Sequence, residues 1–234
     1  MMRDATETRW GAALVILIAV AVGAFLLGRA QQAHQALPLG AEHRAVRQQV
    51  LHLTLSRTEA PIIVLGDSIV EAAILPPSAC GHALVNAGLS GATTASDLAG
   101  WLKPALGASR PFAIIVSLGV NDVPTNSPGN VEAFAGRYEA LLRELSKLSD
   151  RIYVLEIPPV EARARMTPDM AKTAMATIGS YRATLPELSR RTGAIVLSWP
   201  DVQAPFTIDG VHLNAEGYRA WNEAVRRGTT LACS

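Results

Sequence analysis

The sequence predicts an α/β fold, a parallel sheet covered by helices on both faces, and three observations carry that prediction. Apolar runs of strand length at 61–65, 83–85, 113–118, 152–157 and 194–199 alternate with stretches of helical periodicity. Uninterrupted apolar runs mark strands buried on both faces, and helices between them supply the crossovers a parallel sheet needs. The first run, Pro61 to Leu65, ends abruptly in Gly66-Asp67-Ser68, as a buried strand does when it delivers a polar residue to a sheet edge. Hydrophobic residues make up 49% of 234, enough for the core of one domain of ordinary size with an appendage.

Taken in order, residues 1–10 form a short tail and residues 11–28, GAALVILIAVAVGAFLLG, contain no charged residue. As a helix that segment is roughly 27 Å long, close to the hydrocarbon thickness of a bilayer. Trp10 stands at its start, where interfacial aromatics belong. It reads as an uncleaved transmembrane signal anchor. A cleaved signal peptide is the rival, with Gly28-Arg29-Ala30 as its weak cleavage site. Flanking charge does not set the orientation, because Arg3 and Arg9 are offset by Asp4 and Glu7. A single leading span ahead of a complete domain places residues 30–234 outside the cytoplasm, on the periplasmic side of a bacterial inner membrane.

Residues 29–58 read as a linker followed by a juxtamembrane helix over 41–57, and residues 59–234 as the globular domain. Helices are expected over 95–106, 131–148, 170–191 and 215–227. Pro186 should kink or split the third of these.

Net charge is +1, with no basic cluster beyond pairs such as Arg190-Arg191, which excludes an electrostatic footprint for nucleic acid. Cys80 and Cys233 have no ligand-type spacing, so neither a metal nor any other cofactor is implied. In an exported domain they can close a disulfide; two unrelated thiols fit the sequence equally well.

The chemistry gathers around Ser68. Asp209 and His212 lie three residues apart in a loop before the last helix, a spacing that lets the carboxylate orient the imidazole. Serine, histidine and aspartate are the parts of a nucleophile, base and orienter relay. Elimination supports His212: His34 is in the linker, His43 and His52 are in the juxtamembrane helix, and His82 precedes a strand. Acyl transfer also needs donors for a developing oxyanion, and Gly88 and Asn121 both follow expected strands. The G-x-S-x-G elbow is absent, since Val70 and Ala92 occupy the last positions after Ser68 and Ser90, and so are the glycine patterns of dinucleotide and nucleotide sites.

Four ordered blocks resemble the signatures of the SGNH (GDSL-type) serine hydrolases: Gly66-Asp67-Ser68-Ile69, Asn86-Ala87-Gly88-Leu89-Ser90-Gly91, Gly119-Val120-Asn121-Asp122 and Asp209-Gly210-Val211-His212-Leu213. The resemblance spans roughly residues 60–228; Ile69 stands where leucine is usual, a conservative exchange. It implies a flavodoxin-like three-layer α/β/α sandwich with five parallel strands in the order 2-1-3-4-5. It also implies Ser68 as nucleophile, His212 as base and Asp209 as its orienter, with the Ser68 N–H, the Gly88 N–H and the Asn121 amide as oxyanion hole.

The expected function is therefore a membrane-anchored serine esterase acting on an acetylated carbohydrate or a lipid of the cell envelope. An acyltransferase to a carbohydrate would use the same residues, and a non-catalytic carbohydrate-binding domain is the rival of a different class. Residues 122–130 and 157–168 are expected as rim loops, and Trp199 and Tyr218 as packing residues.

Overall fold

The computed structural model describes residues 39–124, 127–164 and 166–234. Segment 11–28, the expected anchor, lies outside the described residues. Among the described residues no helix is long and apolar enough to cross a membrane. The chain divides into two compact units, residues 1–46 and 47–234. The boundary falls inside helix α1 (Leu39–Leu55). Leu51 and Leu55 in that helix, each 2% exposed, belong to the core of the second unit.

That unit is built on β1 (Ile62–Gly66), whose four apolar side chains are fully buried. Each contributes about 1.5–3 kcal/mol by leaving water. β1 lies between β3 (His82–Gly88) and β4 (Ala113–Ser117), and β5 (Ile152–Leu155) and β6 (Ile195–Leu197) extend the sheet beyond β4, all parallel. The parallel strands therefore follow the expected order 2-1-3-4-5. A two-residue antiparallel strand, β2 (Ser78–Ala79), makes the sheet six-stranded by pairing with the outer edge of β3. It is too short to show any period in sequence, and the turn that joins it to β3 holds Cys80.

Register places the ends of the strands in one row: Gly66 is paired with Gly88 on one side and with Ser117 on the other, and Ser117 with Leu155. The loops that leave these ends are thus neighbours. α3 (Leu98–Leu106), α4 (Val131–Ser146), α5 (Pro168–Arg182) and α6 (Leu185–Thr192) pack against one another as one layer. α7 (Ala215–Cys233) crosses β2, β4, β5 and β6. Its fully buried Trp221 donates to Ser117 Oγ at 3.0 Å.

The helix expected over 170–191 is two helices. The break falls at Ala183–Thr184, ahead of Pro186, which sits in the first turn of α6 where its missing N–H costs nothing. α7 runs six residues past its expected end and carries Cys233 to Cys80, with the two Cα atoms 6.1 Å apart and the sulfurs bonded.

Candidate active site

Ser68 opens the four-residue helix α2 (Ser68–Glu71) directly beyond β1. Asp67 caps it, its carboxylate accepting from the Ile69 N–H at 2.9 Å. The first N–H groups of a helix have no intrahelical acceptor. The Ser68 N–H is one of them, at the sheet edge.

Ser68 Oγ lies 3.1 Å from His212 Nε2, and His212 Nδ1 lies 2.8 Å from Asp209 Oδ2. Asp209 Oδ1 also accepts the backbone N–H groups of His212 at 2.9 Å and Val211 at 3.1 Å. Burial pushes the Asp209 carboxyl up, but the bonds from the His212 ring and from these two N–H groups outweigh it and hold the group at about 2. An ionised Asp209 fixes the proton of neutral His212 on Nδ1 and leaves the Nε2 lone pair toward Ser68.

The loop that carries this pair is fastened on both sides. Thr207 and Leu213 form an antiparallel bridge, and the Ile208 N–H donates to His212 O at 2.7 Å. The Glu161 carboxylate accepts from the N–H groups of Phe206 at 3.0 Å and Thr207 at 2.7 Å, and from the Thr207 hydroxyl at 2.5 Å. Glu161, in a segment expected as a rim loop, thus holds the loop of Asp209 and His212. Asn214 then caps α7, accepting from Glu216 and Gly217, and Tyr218 donates its hydroxyl to Ile69 O at 2.9 Å. Tyr218, expected only to pack, ties the helix after His212 to the helix that presents Ser68.

Asn121 lies in a 3₁₀ turn (Val120–Asp122) beyond β4 and donates one amide hydrogen to Ala92 O at 3.0 Å, leaving the other free of that bond. Its neighbour Asp122, 2% exposed at the side chain, accepts from the Thr94 N–H at 2.9 Å, the Thr94 hydroxyl at 2.5 Å and Arg137 at 3.3 Å. The 92–94 segment is pinned to the Asn121 turn.

Gly88 does not fit the role expected of it. Its N–H donates to Asn86 Oδ1 at 2.9 Å, and a Cβ there would stand 2.1 Å from Glu71 N, so the residue is wedged against the end of α2. Three residues on, Gly91 has φ +77°, open space around the site of a Cβ, and an N–H with no acceptor among the described residues. The structure therefore brings Ser68, Asp209 and His212 together and sets Asn121 beside the Gly91–Ala92 peptide, while Gly88 is otherwise engaged. Sequence shows two glycines in this block; only the side chain of Asn86 decides which N–H remains open. His82 is structural, with Nδ1 2.8 Å from Ala60 O and the ring stacked on Phe112 at 3.8 Å.

Beside Ser68, Asp67 is 2% exposed and within electrostatic range of the Asp122 carboxylate and of Tyr138, whose buried hydroxyl has no hydrogen-bond partner among the described residues. Burial raises the Asp67 carboxyl from 3.8 to about 7, against the lowering effects of the Ile69 N–H and His212. The folded protein therefore binds a proton that the unfolded chain releases. The contribution of this one group is full below about pH 4, falls as pH rises toward about 7, and stays reduced above it. Asp67→Asn keeps the acceptor for the Ile69 N–H and removes this loss. Thermal unfolding should show the variant stabilised by about 4 kcal/mol over the parent at pH 8, with the gain vanishing near pH 4. A difference that does not vary with pH would refute the assignment.

Among the described residues no group of His, Cys, Asp or Glu is placed to hold a metal ion. A cavity of about 430 Å³ lies along α5, lined by Pro128, Gly129, Lys172 and Thr177 but not by Ser68, Asp209 or His212. The Ser68–His212 contact is open to solvent, with the His212 side chain 50% exposed.

The sequence profile of the GDSL-like lipase/acylhydrolase family matches residues 64–220, a span that contains Ser68, Asn121, Asp209 and His212. No curated protein matches the sequence. Solved structures share the fold, and three of them illustrate it. A Streptococcus pneumonia protein named for platelet activating factor is 22% identical, with TM-score 0.65 over 89% of this chain and 99% of that one. A Bacteroides fragilis acylhydrolase is 17% identical, with TM-score 0.60 over 80% and 97%. The acetylxylan esterase Axe2 of Geobacillus stearothermophilus is 18% identical, with TM-score 0.54 over 74% and 94%. With the family profile covering most of the chain, including the sheet edge where serine, histidine and aspartate meet, the protein belongs to the GDSL-like lipase/acylhydrolase family and is an ester-hydrolysing enzyme.

Proposed function

We propose that this chain is a membrane-anchored serine esterase that cleaves carboxylic esters on a carbohydrate or lipid of the cell envelope, with Ser68, His212 and Asp209 as its triad. The contact that carries the reading is Ser68 Oγ to His212 Nε2 at 3.1 Å, backed by Asp209 at 2.8 Å. His212 Nε2 takes the Ser68 proton as Oγ attacks the ester carbonyl, and Asp209 stabilises the imidazolium. The oxyanion is held by the Ser68 N–H, the Gly91 N–H in place of that of Gly88, and the free hydrogen of the Asn121 amide. His212 returns the proton to the departing alcohol, and water, activated by the same nitrogen, then releases the acid and restores Ser68.

An open site supports hydrolysis over transfer to a sugar, since nothing among the described residues shields His212 from water. The same openness suits an ester displayed on a large molecule, and the likeness to an acetylxylan esterase fold favours acetylated carbohydrate. Anchoring rests on the apolar segment 11–28, and an extracytoplasmic domain on that segment together with the Cys80–Cys233 disulfide, a bond of oxidising compartments.

The test is hydrolysis of p-nitrophenyl esters of increasing acyl length by the full chain in detergent. Acetate should be preferred if the substrate is an acetylated carbohydrate, and long chains if it is a lipid. Asn121→Ala should lower kcat about 100-fold to 1,000-fold, as removal of one oxyanion donor does. An unchanged kcat would take Asn121 out of the oxyanion hole.

A further inference from the structure

Helix α1 reaches the active-site end of the sheet through Arg47. Arg47 Nε and Nη2 donate to Gly88 O at 3.2 and 3.0 Å, and Nη2 also lies 3.3 Å from Asn86 O and 3.4 Å from Asn86 Oδ1. Arg47 Nε is 3.7 Å from Glu71 Oε1, and the two side chains are only 21% and 18% exposed. The second oxygen of Glu71 accepts from the Ser90 N–H at 2.6 Å and the Ser90 hydroxyl at 2.8 Å. Glu71 closes the helix that Ser68 opens. One continuous network therefore runs from α1, through the last residue of the nucleophile helix, to the residue before Gly91.

We propose that Arg47 and Glu71 are positioning residues that hold the Leu89–Ala92 turn, and with it the Gly91 N–H, at the distance from Ser68 that the oxyanion requires; this rests on the esterase reading above. Within the turn the Ala92 N–H donates to Leu89 O at 3.0 Å, but a glycine at positive φ with no side chain to pack adds nothing further to fix it. Its fixed points outside the turn include the Leu89 N–H on Gly66 O at 2.9 Å, the Asn121 amide on Ala92 O, and the Glu71 carboxylate on Ser90. Arg47 secures the third by neutralising Glu71 while its planar fork clamps the strand end that feeds the turn. Lysine can supply the charge but not that fork. On this reading α1 is part of the enzyme, not a tether.

The proposal is tested in the full chain in detergent by measuring kcat and KM on p-nitrophenyl acetate, together with the thermal unfolding midpoint, for Arg47→Ala, Arg47→Lys and Glu71→Gln. A sub-ångström to ångström shift of an oxyanion donor acts on the transition state, so Arg47→Ala should lose about 10-fold to 100-fold in kcat with KM within about threefold. Arg47→Lys should recover part of that loss, and Glu71→Gln should lose about 3-fold to 10-fold. If Arg47→Ala fails to fold, Arg47→Lys decides: a reduced kcat at the parental unfolding midpoint upholds the proposal. A kcat for Arg47→Lys and Glu71→Gln equal to that of an active parent overturns it and leaves the esterase reading standing. A parent that neither cleaves ester nor reacts with a fluorophosphonate at Ser68 overturns both.

Discussion

Exchange of Asp209 for asparagine is expected to lower kcat about 10⁴-fold while leaving the unfolding midpoint close to that of the parent. The geometry gives the reason. In the parent, one carboxylate oxygen takes the two backbone N–H groups of Val211 and His212, and the other takes the proton on His212 Nδ1. Asparagine can keep the backbone bonds with its carbonyl, so the loop stays folded. Its NH₂ group then faces Nδ1 as a donor, which drives the imidazole proton to Nε2, the nitrogen 3.1 Å from Ser68 Oγ. The ring then presents a hydrogen where a lone pair is needed. Ser68→Ala should lose more, about 10⁶-fold, because no nucleophile remains. Initial rates on p-nitrophenyl acetate check both, and an Asp209→Asn enzyme within tenfold of the parent would remove Asp209 from the triad.

The second large effect is on stability. Cys80 and Cys233 are separated by 153 residues, and in the chain-entropy model a cross-link of that span stabilises the folded state by about 5 kcal/mol. The bond joins the β2–β3 turn to the last residue of α7, so it fastens the helix that follows His212 to the edge of the sheet. The double substitution Cys80→Ser with Cys233→Ser should lower denaturant-derived stability by an amount of that order, and reduction of the parent should reproduce it. Protein taken from intact cells and treated with a thiol-alkylating reagent before reduction should carry no label. Labelling at both cysteines would count against the bond and against an oxidising location together.

How much of this was legible in the sequence depends on the range of the interaction concerned. β1 could be read because a strand buried on both faces must be apolar throughout, and its abrupt ending in Gly66-Asp67-Ser68 marks a sheet edge. Asp209 and His212 could be paired because their contact is local. Gly88 could not be told from Gly91, since the difference is a side-chain bond from Asn86 that no spacing rule reports. Glu161 and Tyr218 were invisible as supports: their partners, Thr207 and Ile69, are distant in sequence. β2 and α2 are too short for any period to show. The disulfide stayed undecided because proximity across most of the domain is a property of the finished fold.

Ser68 and His212, the proposed nucleophile and base, are 144 residues apart in the chain, and the strut from Tyr218 to Ile69 that ties their helices bridges 149. During synthesis Ser68 leaves the ribosome well before His212. Until α7 closes against the sheet the chain holds a serine of ordinary alcohol reactivity. The hydrolase is thus latent throughout its own assembly. On the proposed triad, activity begins only when α7 has closed and the two ends of the relay meet.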